Sequence, residues 1–324
     1  MSYTRTRNGV LECFLCPNHC KIQEGEAGLC RVRENRNGEL SLPFHGVLSA
    51  IANDPVEKKP LYHFYPGSMV LSVGFYGCSF HCPFCQNYHI SQSIPSRPES
   101  RTTPSELVEY AVKHHAQAIA YTYSEPTVHF EWLMETAAEA RSRGLKNVLV
   151  SNGYLNPQPA DELLGLMDAA NIDLKSFRSD FYRDELGGKL EPVLAFLHKA
   201  SLSIHLEVTC LIIPGHTDSV EEIEEIAQFL ASLDPDIPLH LSCYYPTYKY
   251  TVPPTNPDKV FFLSKRAGAY LNYVYPGNVG LAEVDTHCPE CGNILIRRRG
   301  YNVETPGIES AACAVCGHKI SFPL

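Results

Sequence analysis

Three cysteines constrain this chain more than any other feature of its sequence. Cys78, Cys82 and Cys85 stand in the run GCSFHCPFCQN, separated by gaps of three and two residues. A structural zinc site needs four ligands, and the nearby His81 and His89 lie at spacings that match no familiar zinc finger. The run therefore predicts a soft-metal site that lacks one protein ligand.

Most of the thirteen cysteines are clustered, which indicates metal sites rather than a disulfide framework. The clusters are Cys13, Cys16, Cys20 and Cys30; Cys78, Cys82 and Cys85; and Cys288, Cys291, Cys313 and Cys316. The start of the chain has no apolar run long enough for a signal peptide, and no segment approaches the ~20 apolar residues of a membrane span. We therefore expect a cytoplasmic protein.

The negative charge is concentrated in the middle of the chain. The formal net charge is -9. Residues 61–280 carry 15 basic and 24 acidic side chains, whereas the flanking segments nearly balance. An acidic surface repels phosphates, so this composition argues against a nucleic acid partner. The one basic run is RRRGY, residues 297–301.

The middle of the chain alternates short apolar strands with longer amphipathic helices, beginning with the strand VLSVGF at 70–75. About six such repeats predict an α/β fold with a parallel sheet and outer helices. We expect a partial (βα)6 barrel, with an open doubly wound sheet as the alternative. The predicted domains are a Cys-rich N-terminal arm over 1–60, a core barrel over 61–280 and a zinc ribbon over 281–324.

The missing ligand has a chemical explanation. A four-iron cluster needs four ligands, so three thiolates leave one iron open to a small molecule. CxxxCxxC after the first strand of a repeated β–α unit, with Gly74 and Gly77 before it, closely resembles the radical SAM superfamily. That resemblance implies a 4Fe-4S cluster on Cys78, Cys82 and Cys85, with S-adenosylmethionine (SAM) bound to the open iron.

The same resemblance implies a set of SAM-binding residues at the ends of later strands. YSEP, residues 123–126, stands where the superfamily often has Gly-Gly-Glu-Pro, so tyrosine and serine replace both glycines. SNG at 151–153 and DLK at 173–175 are similar to segments of glycyl-radical-enzyme activases, the pyruvate formate-lyase activating enzymes. Carboxyl ends of parallel strands share one edge of the sheet. The implied residues are Ser124, Glu125, Ser151, Asn152, Asp173, Lys175 and Asn278.

Over its whole length the chain closely resembles the radical SAM protein of the AmmeMemoRadiSam system. The shared segments are CFLCPNHC at 13–20, YHFYPGS at 62–68, YTYSEPT at 121–127 and RRRGY at 297–301. This resemblance implies Memo-like and AMMECR-domain proteins as candidate partners. Cys243 departs from the pattern, since a polar or basic residue is expected there.

Two further metal sites are predicted outside the barrel. CPEC and CAVC, which supply Cys288, Cys291, Cys313 and Cys316, form a zinc-ribbon pattern with an all-thiolate site. The spacing of Cys13, Cys16, Cys20 and Cys30 does not decide between zinc, our first expectation, and an auxiliary iron–sulfur cluster. The RRRGY run fits a structural cap that also docks a partner better than an RNA site.

These patterns and resemblances lead to three candidate functions. The first is a radical SAM enzyme that takes hydrogen from an unidentified protein or small molecule, with a reductant such as ferredoxin or flavodoxin. The second is an activase that takes hydrogen from a backbone glycine of a glycyl-radical enzyme. The third, from another class, is an RNA-associated metal-binding protein, which the acidic middle of the chain disfavours.

Overall fold

The computed structural model describes residues 3–96, 100–280 and 284–324. Its strands, in chain order, are β1 Thr4–Arg7, β2 Val10–Cys13, β3 Lys21–Ile22, β4 Glu34–Arg36, β5 Glu39–Ser41, β6 Ala50–Pro55, β7 Met69–Gly74, β8 Ala118–Thr122, β9 Lys146–Ser151, β10 Ala169–Asp173, β11 His205–Ile212, β12 Leu239–Cys243, β13 Val274–Gly277, β14 Thr286–His287, β15 Ile294–Arg299, β16 Asn302–Glu304, β17 Ile308–Glu309 and β18 Ala312–Cys313.

The α-helices are α1 Tyr88–Ser91, α2 Pro104–Lys113, α3 Phe130–Ser142, α4 Pro157–Leu164, α5 Ser179–Phe181, α6 Leu190–Ser201, α7 Val220–Leu233 and α8 Pro257–Ala267. Two 3-10 helices, Val56–Lys58 and Pro126–His129, and a π-helical turn, Tyr182–Leu186, complete the helical structure of the described residues. Within those residues, no helix has both the length and the apolar character needed to cross a bilayer.

The central sheet has eight strands in the order β13-β12-β11-β10-β9-β8-β7-β6. Strands β7 to β13 are parallel, and β6 is antiparallel to β7 at the edge. Each right-handed β–α–β connection moves one strand along, so all the helices cover one face of the sheet. A doubly wound sheet would reverse its order at a switch point. The sequential order therefore excludes a doubly wound sheet and fits the expected partial barrel, because six β–α units are followed by a seventh parallel strand.

Local sequence signals explain where the helices begin. Thr103 caps α2: its hydroxyl accepts a hydrogen bond from the backbone of Glu106, and the Glu106 carboxylate accepts one from the backbone of Thr103. The sequence TPSE at 103–106 predicts this capping box, and the structure confirms it. For α7 the sequence predicts Asp218 as the cap, which is wrong by one residue. Ser219 caps that helix, whereas the Asp218 carboxylate accepts a hydrogen bond from the backbone of Gly215.

The helical pattern of the sequence over about 180–198 predicts one helix, but the structure interrupts it. It divides into α5, the π-helical turn and α6, and Gly187 between them adopts φ 72°. The backbone N–H of His81 bonds the carbonyl of Leu186 at 3.0 Å, so this break holds the cysteine-bearing loop.

The N-terminal region is built into the barrel. Although β6 lies within the predicted 1–60 arm, it pairs with β7 along its whole length. The segment 56–68 then enters the barrel, where Val56, Leu61 and Phe64 pack against inward-facing side chains of the central strands. The sheet therefore begins before the predicted boundary at residue 60. The other predicted boundary, at 280/281, lies beside residues 281–283, outside the described residues.

A buried carboxylate anchors this segment inside the barrel. Glu207, on β11, accepts hydrogen bonds from the backbone N–H groups of Tyr62 and His63 at 3.0 and 2.7 Å. It also bonds the rings of His205 and His240, at 3.0 and 2.6 Å. The positions of His205 and His240 on their strands predict inward-facing rings, and the structure places both rings against Glu207.

The C-terminal ribbon packs against β13 and the segment 56–68. Arg298, on β15, is buried, donates a hydrogen bond to the carbonyl of Tyr62 and lies over the Tyr62 ring at 4.4 Å. Its guanidinium also donates to the hydroxyl of Thr286 at 2.8 Å. The middle arginine of the RRRGY run therefore attaches the ribbon to the barrel and presents no cation to a nucleic acid.

Candidate active site

The three-cysteine loop follows β7 at the carboxyl edge of the sheet. Gly77 adopts φ +80°, and a Cβ there would lie 2.2 Å from the carbonyl oxygen of Cys30, so only glycine permits this close approach. Burial raises the pKa of the Cys82 thiol to about 12. A metal ion bound here would stabilise the thiolate, and this would offset the free energy that burial adds to deprotonation.

A cavity of about 380 Å³ adjoins this loop. Six of the seven residues expected to bind SAM line it together with the cysteines, namely Ser124, Glu125, Asn152, Asp173, Lys175 and Asn278. The seventh, Ser151, lies behind them, and its hydroxyl donates a hydrogen bond of 2.8 Å to Glu125. The structure thus brings together residues from five different strand ends.

Glu125 is the most enclosed of these side chains. Its Oε1 accepts hydrogen bonds from the hydroxyls of Thr127 and Ser151 at 2.7 and 2.8 Å, and from the backbone of Thr127 at 3.1 Å. Its Oε2 accepts one, of 2.9 Å, from the backbone of Asn152. Burial raises the pKa of Glu125, while these hydrogen bonds favour the ionised form. Oε2 therefore keeps acceptor capacity for a cationic donor in the cavity.

The two residues that replace glycines in YSEP do not disturb the backbone. Tyr123 adopts φ +70°, a left-handed conformation that glycine favours. Its hydroxyl donates to Asp54 at 2.9 Å, and the ammonium of Lys59 lies 4.5 Å from its ring centre. The Ser124 hydroxyl donates to the carbonyl of Phe75 at 2.9 Å. These contacts hold Tyr123 in a backbone conformation that glycine adopts without strain.

A half-buried ion pair lies across the cavity. The Lys175 ammonium is 3.0 Å from the Asp173 carboxylate. Burial lowers the pKa of Lys175, but the charges of Asp173 and Cys82 outweigh that effect and hold the pKa above its usual value. Lys175 thus keeps a positive charge beside the cysteine loop.

The loops around the cysteines are tied to this polar set. Asn152 donates a hydrogen bond of 3.0 Å to the hydroxyl of Ser79, and its amide lies 3.8 Å from the sulfur of Cys78. Asn87 donates to the carbonyl of Tyr123 at 2.6 Å. The ends of β7, β8 and β9 are therefore locked to one another.

Sequence reasoning missed several residues of the cavity wall. Lys58 and Pro60 come from the segment that enters the barrel, and no local pattern placed them here. Thr209 and Ser242 also line the cavity. Along their strands, polar residues at inward positions alternate with apolar residues at outward positions, and this alternation is a signal that could have identified them.

The C-terminal cysteines have the geometry of a tetrahedral metal site. Cys288 and Cys316 are 3.6 Å apart at sulfur, and Cys291 and Cys313 are 3.7 Å apart. Zn–S bonds of about 2.3 Å give a tetrahedron with edges of about 3.8 Å. The ribbon cysteines are therefore preorganised for a single metal ion.

Comparison with known proteins agrees with the geometry. The family model described as the radical SAM superfamily matches residues 72–230. An uncharacterised protein of Methanocaldococcus jannaschii is 40% identical over 100% of this chain and 99% of its own length. The pyruvate formate-lyase-activating enzyme of Staphylococcus epidermidis is 26% identical over 49% of this chain and 67% of its own.

A solved structure shares the fold. A radical SAM methyltransferase from Sphaerobacter thermophilus superposes with a TM-score of 0.52 at 17% identity, over 66% of this chain and 67% of that one. The matched span of the family model contains the cysteine loop and most of the cavity-lining strand ends. On this combined evidence, the chain belongs to the radical SAM superfamily of enzymes.

Proposed function

We propose that the chain cleaves SAM reductively in the 380 Å³ cavity and uses the resulting radical to take hydrogen from a protein or small-molecule substrate. When bound, the 4Fe-4S cluster supplies one electron to the sulfonium, which yields methionine and a 5′-deoxyadenosyl radical; this becomes 5′-deoxyadenosine on taking a substrate hydrogen atom. The observation that carries the proposal is the shared wall: three thiols and six strand-end polar residues enclose one cavity.

Cys78, Cys82 and Cys85 would hold three irons of the cluster and leave the fourth facing the cavity. Among the described residues, these sulfurs do not come within 4.8 Å of one another as a group, unlike those of the ribbon. This wider spacing suits separate irons better than one zinc ion. The cavity lies against all three cysteines, which supports access of a ligand to the open iron.

The polar wall would orient SAM through complementary charge. Glu125 would accept a hydrogen bond from the SAM amino group at Oε2, with Ser124 beside it. Lys175, oriented by Asp173, would attract the SAM carboxylate, and Ser151 and Asn152 would fix the position of Glu125. Asn278, at the end of β13 on the far side of the cavity, would contact the adenine.

We further assign this chain to the family of radical SAM proteins of the AmmeMemoRadiSam system, and we place it in the cytoplasm. Its motifs are present in the arm, the barrel and the ribbon, and the ribbon cysteines would hold zinc. On this assignment a Memo-like or AMMECR-domain protein is the partner, and ferredoxin or flavodoxin is the electron donor. Co-elution of each purified candidate with this chain would test the partnership.

Activation of a glycyl-radical enzyme is the second candidate. It is favoured by the similarity to a pyruvate formate-lyase-activating enzyme, but that similarity covers only about half of this chain. The two additional cysteine clusters favour modification of a different substrate.

The test is formation of 5′-deoxyadenosine. The protein is reconstituted anaerobically with iron and sulfide, then incubated with SAM and dithionite, and the products are measured by mass spectrometry. We expect turnover in the wild type and in Cys210→Ala, whose buried cysteine lies outside the cavity wall, but none in Cys82→Ala. No product from fully loaded wild type, or equal product from Cys82→Ala, would refute the proposal.

A further inference from the structure

The four N-terminal cysteines enclose a common space. Cys13, Cys16, Cys20 and Cys30 all line one cavity of about 20 Å³, together with Gly28 and Val128. Cys13 and Cys30 are buried, and Cys16 and Cys20 are half-buried. Four thiols that converge on one enclosed space form a complete ligand set for a metal centre.

The size of this space distinguishes two kinds of centre. In a zinc site every sulfur lies about 2.3 Å from the metal, which leaves no room for a separate cavity between the sulfurs. In a four-iron cluster each thiolate binds a different iron, so neighbouring sulfurs lie roughly 6 Å apart. A cavity lined by all four N-terminal cysteines, whose sulfurs do not all lie within 4.8 Å of one another, fits the second arrangement.

The two other cysteine sites provide an internal comparison. In the described part of the chain, the ribbon cysteines are the only metal-binding group of three or more whose ligand atoms all lie within 4.8 Å of one another. The N-terminal cysteines therefore share the open spacing of Cys78, Cys82 and Cys85, not the closed spacing of the ribbon.

The surrounding contacts also suit a buried cluster. The backbone N–H of Leu29 lies 3.4 Å from the sulfur of Cys20, where it donates to a thiolate. The buried guanidinium of Arg33 lines the same cavity and forms a two-pronged ion pair with Glu131, on α3, at 2.7 and 2.8 Å. A backbone hydrogen bond to a cysteine sulfur is a contact that stabilises iron–sulfur clusters, and the Arg33–Glu131 pair brings no unpaired charge to the cavity.

The N-terminal cysteine site lies directly against the loop that bears Cys78, Cys82 and Cys85, which is the catalytic loop of the proposed function. The carbonyl of Cys30 contacts Gly77, and Asn18 donates a hydrogen bond of 2.9 Å to the carbonyl of Ser79. Arg31 donates to the carbonyl of Ser91 at 3.2 Å. The arm and the catalytic loop thus form one packed unit.

From this geometry we propose that Cys13, Cys16, Cys20 and Cys30 hold a second four-iron cluster, ligated at every iron by the protein, and not the zinc ion first expected. Because all four ligands are thiolates, this cluster has no open iron and does not bind SAM. The proposal concerns a different site from the proposed function and stands or fails separately.

The test is the metal content of the full chain after anaerobic reconstitution with iron, sulfide and zinc. A Cys78→Ala/Cys82→Ala/Cys85→Ala variant removes only the catalytic ligands. We expect about eight irons in the wild type and about four in the variant, each with about one zinc. After reduction, the electron paramagnetic resonance signal of the variant should not change on addition of SAM.

Cys16→Ala/Cys20→Ala, which alters the half-buried pair, is the complementary variant. It should lose about four irons and retain the SAM-sensitive signal of the catalytic cluster. Circular dichroism confirms that each variant is folded. A wild type with about four irons and two zinc ions, or a catalytic-site variant without iron or with only about two irons, would overturn the proposal. Neither result would affect SAM cleavage by the wild type.

Discussion

The backbone N–H of Asn152 donates a hydrogen bond of 2.9 Å to the buried carboxylate of Glu125. This bond joins the ends of β8 and β9, and it aims one carboxylate oxygen at the cavity beside the cysteine loop. The charge that would meet the SAM amino group is therefore positioned by the sheet itself rather than by a mobile loop.

Replacing Glu125 with glutamine should weaken SAM binding. The substitution removes the negative charge. It also replaces one carboxylate oxygen by an NH2 group, which cannot accept a hydrogen bond from the surrounding donors. Loss of a hydrogen bond to a charged group costs about 1.5–3 kcal/mol, so we expect roughly a 10- to 100-fold rise in Kd. Titration calorimetry on anaerobically reconstituted protein measures this change. Glu106→Gln, in the exposed cap of α2, is the control; an unchanged Kd in Glu125→Gln would contradict the assigned role.

Glu207→Ala should strongly destabilise the fold. The carboxylate accepts two backbone hydrogen bonds from the segment inside the barrel and bonds two histidine rings, and alanine leaves all four groups without their buried partner. Removing one member of a buried charged network costs roughly 3–5 kcal/mol. Urea unfolding followed by circular dichroism gives the value. Glu225→Ala, at an exposed position of α7, should lie within about 0.5 kcal/mol of the wild type, and a similarly small effect at Glu207 would be inconsistent with the network.

Because of His129, the free energy of unfolding should decrease as the pH is lowered into the mildly acidic range. Burial lowers its pKa to about 4, and its Nε2 bonds the carbonyl of Tyr76 at 2.8 Å. Because the unfolded chain binds the proton near pH 6.5 and the folded chain does not, stability rises with pH between about 4 and 6.5 and falls on acidification.

A His129→Gln variant isolates this effect, since His63 also has a pKa lowered by burial. Between pH 7 and pH 5, the wild type should lose about 2 kcal/mol more stability than the variant. Parallel urea titrations at the two pH values provide the comparison. Equal losses would mean that His129 is protonated in the folded protein.

Removing the metal ion from the C-terminal ribbon should weaken the contact between the ribbon and the barrel without abolishing catalysis. In Cys313→Ser/Cys316→Ser we expect a loss of about one zinc per chain with iron unchanged. Arg298 would then no longer be held against Tyr62, so limited proteolysis should cut the chain between the barrel and the ribbon faster than in the wild type. Loss of iron instead of zinc would show that the ribbon holds a different metal.

The sequence by itself determined the class of the fold and the chemistry of its central loop. Alternating apolar runs and capping signals predicted parallel strands with outer helices, because both patterns act over a few neighbouring residues. The CxxxCxxC spacing predicted a site that lacks one ligand, and the strand ends predicted the edge at which Glu125, Asn152 and Asp173 gather. The replacement of two glycines in YSEP left the backbone conformation at Tyr123 and Ser124 undetermined by local pattern.

Tertiary structure alone decided the rest. The order of the strands distinguished the partial barrel from a doubly wound sheet, since strand order is a long-range property that no local pattern records. The entry of residues 56–68 into the barrel, which brings Lys58 to the cavity, depends on Glu207 more than a hundred residues away. Likewise, cysteine spacing in the chain left the N-terminal metal open, because zinc and a four-iron cluster differ in the distances between sulfurs in space rather than in sequence.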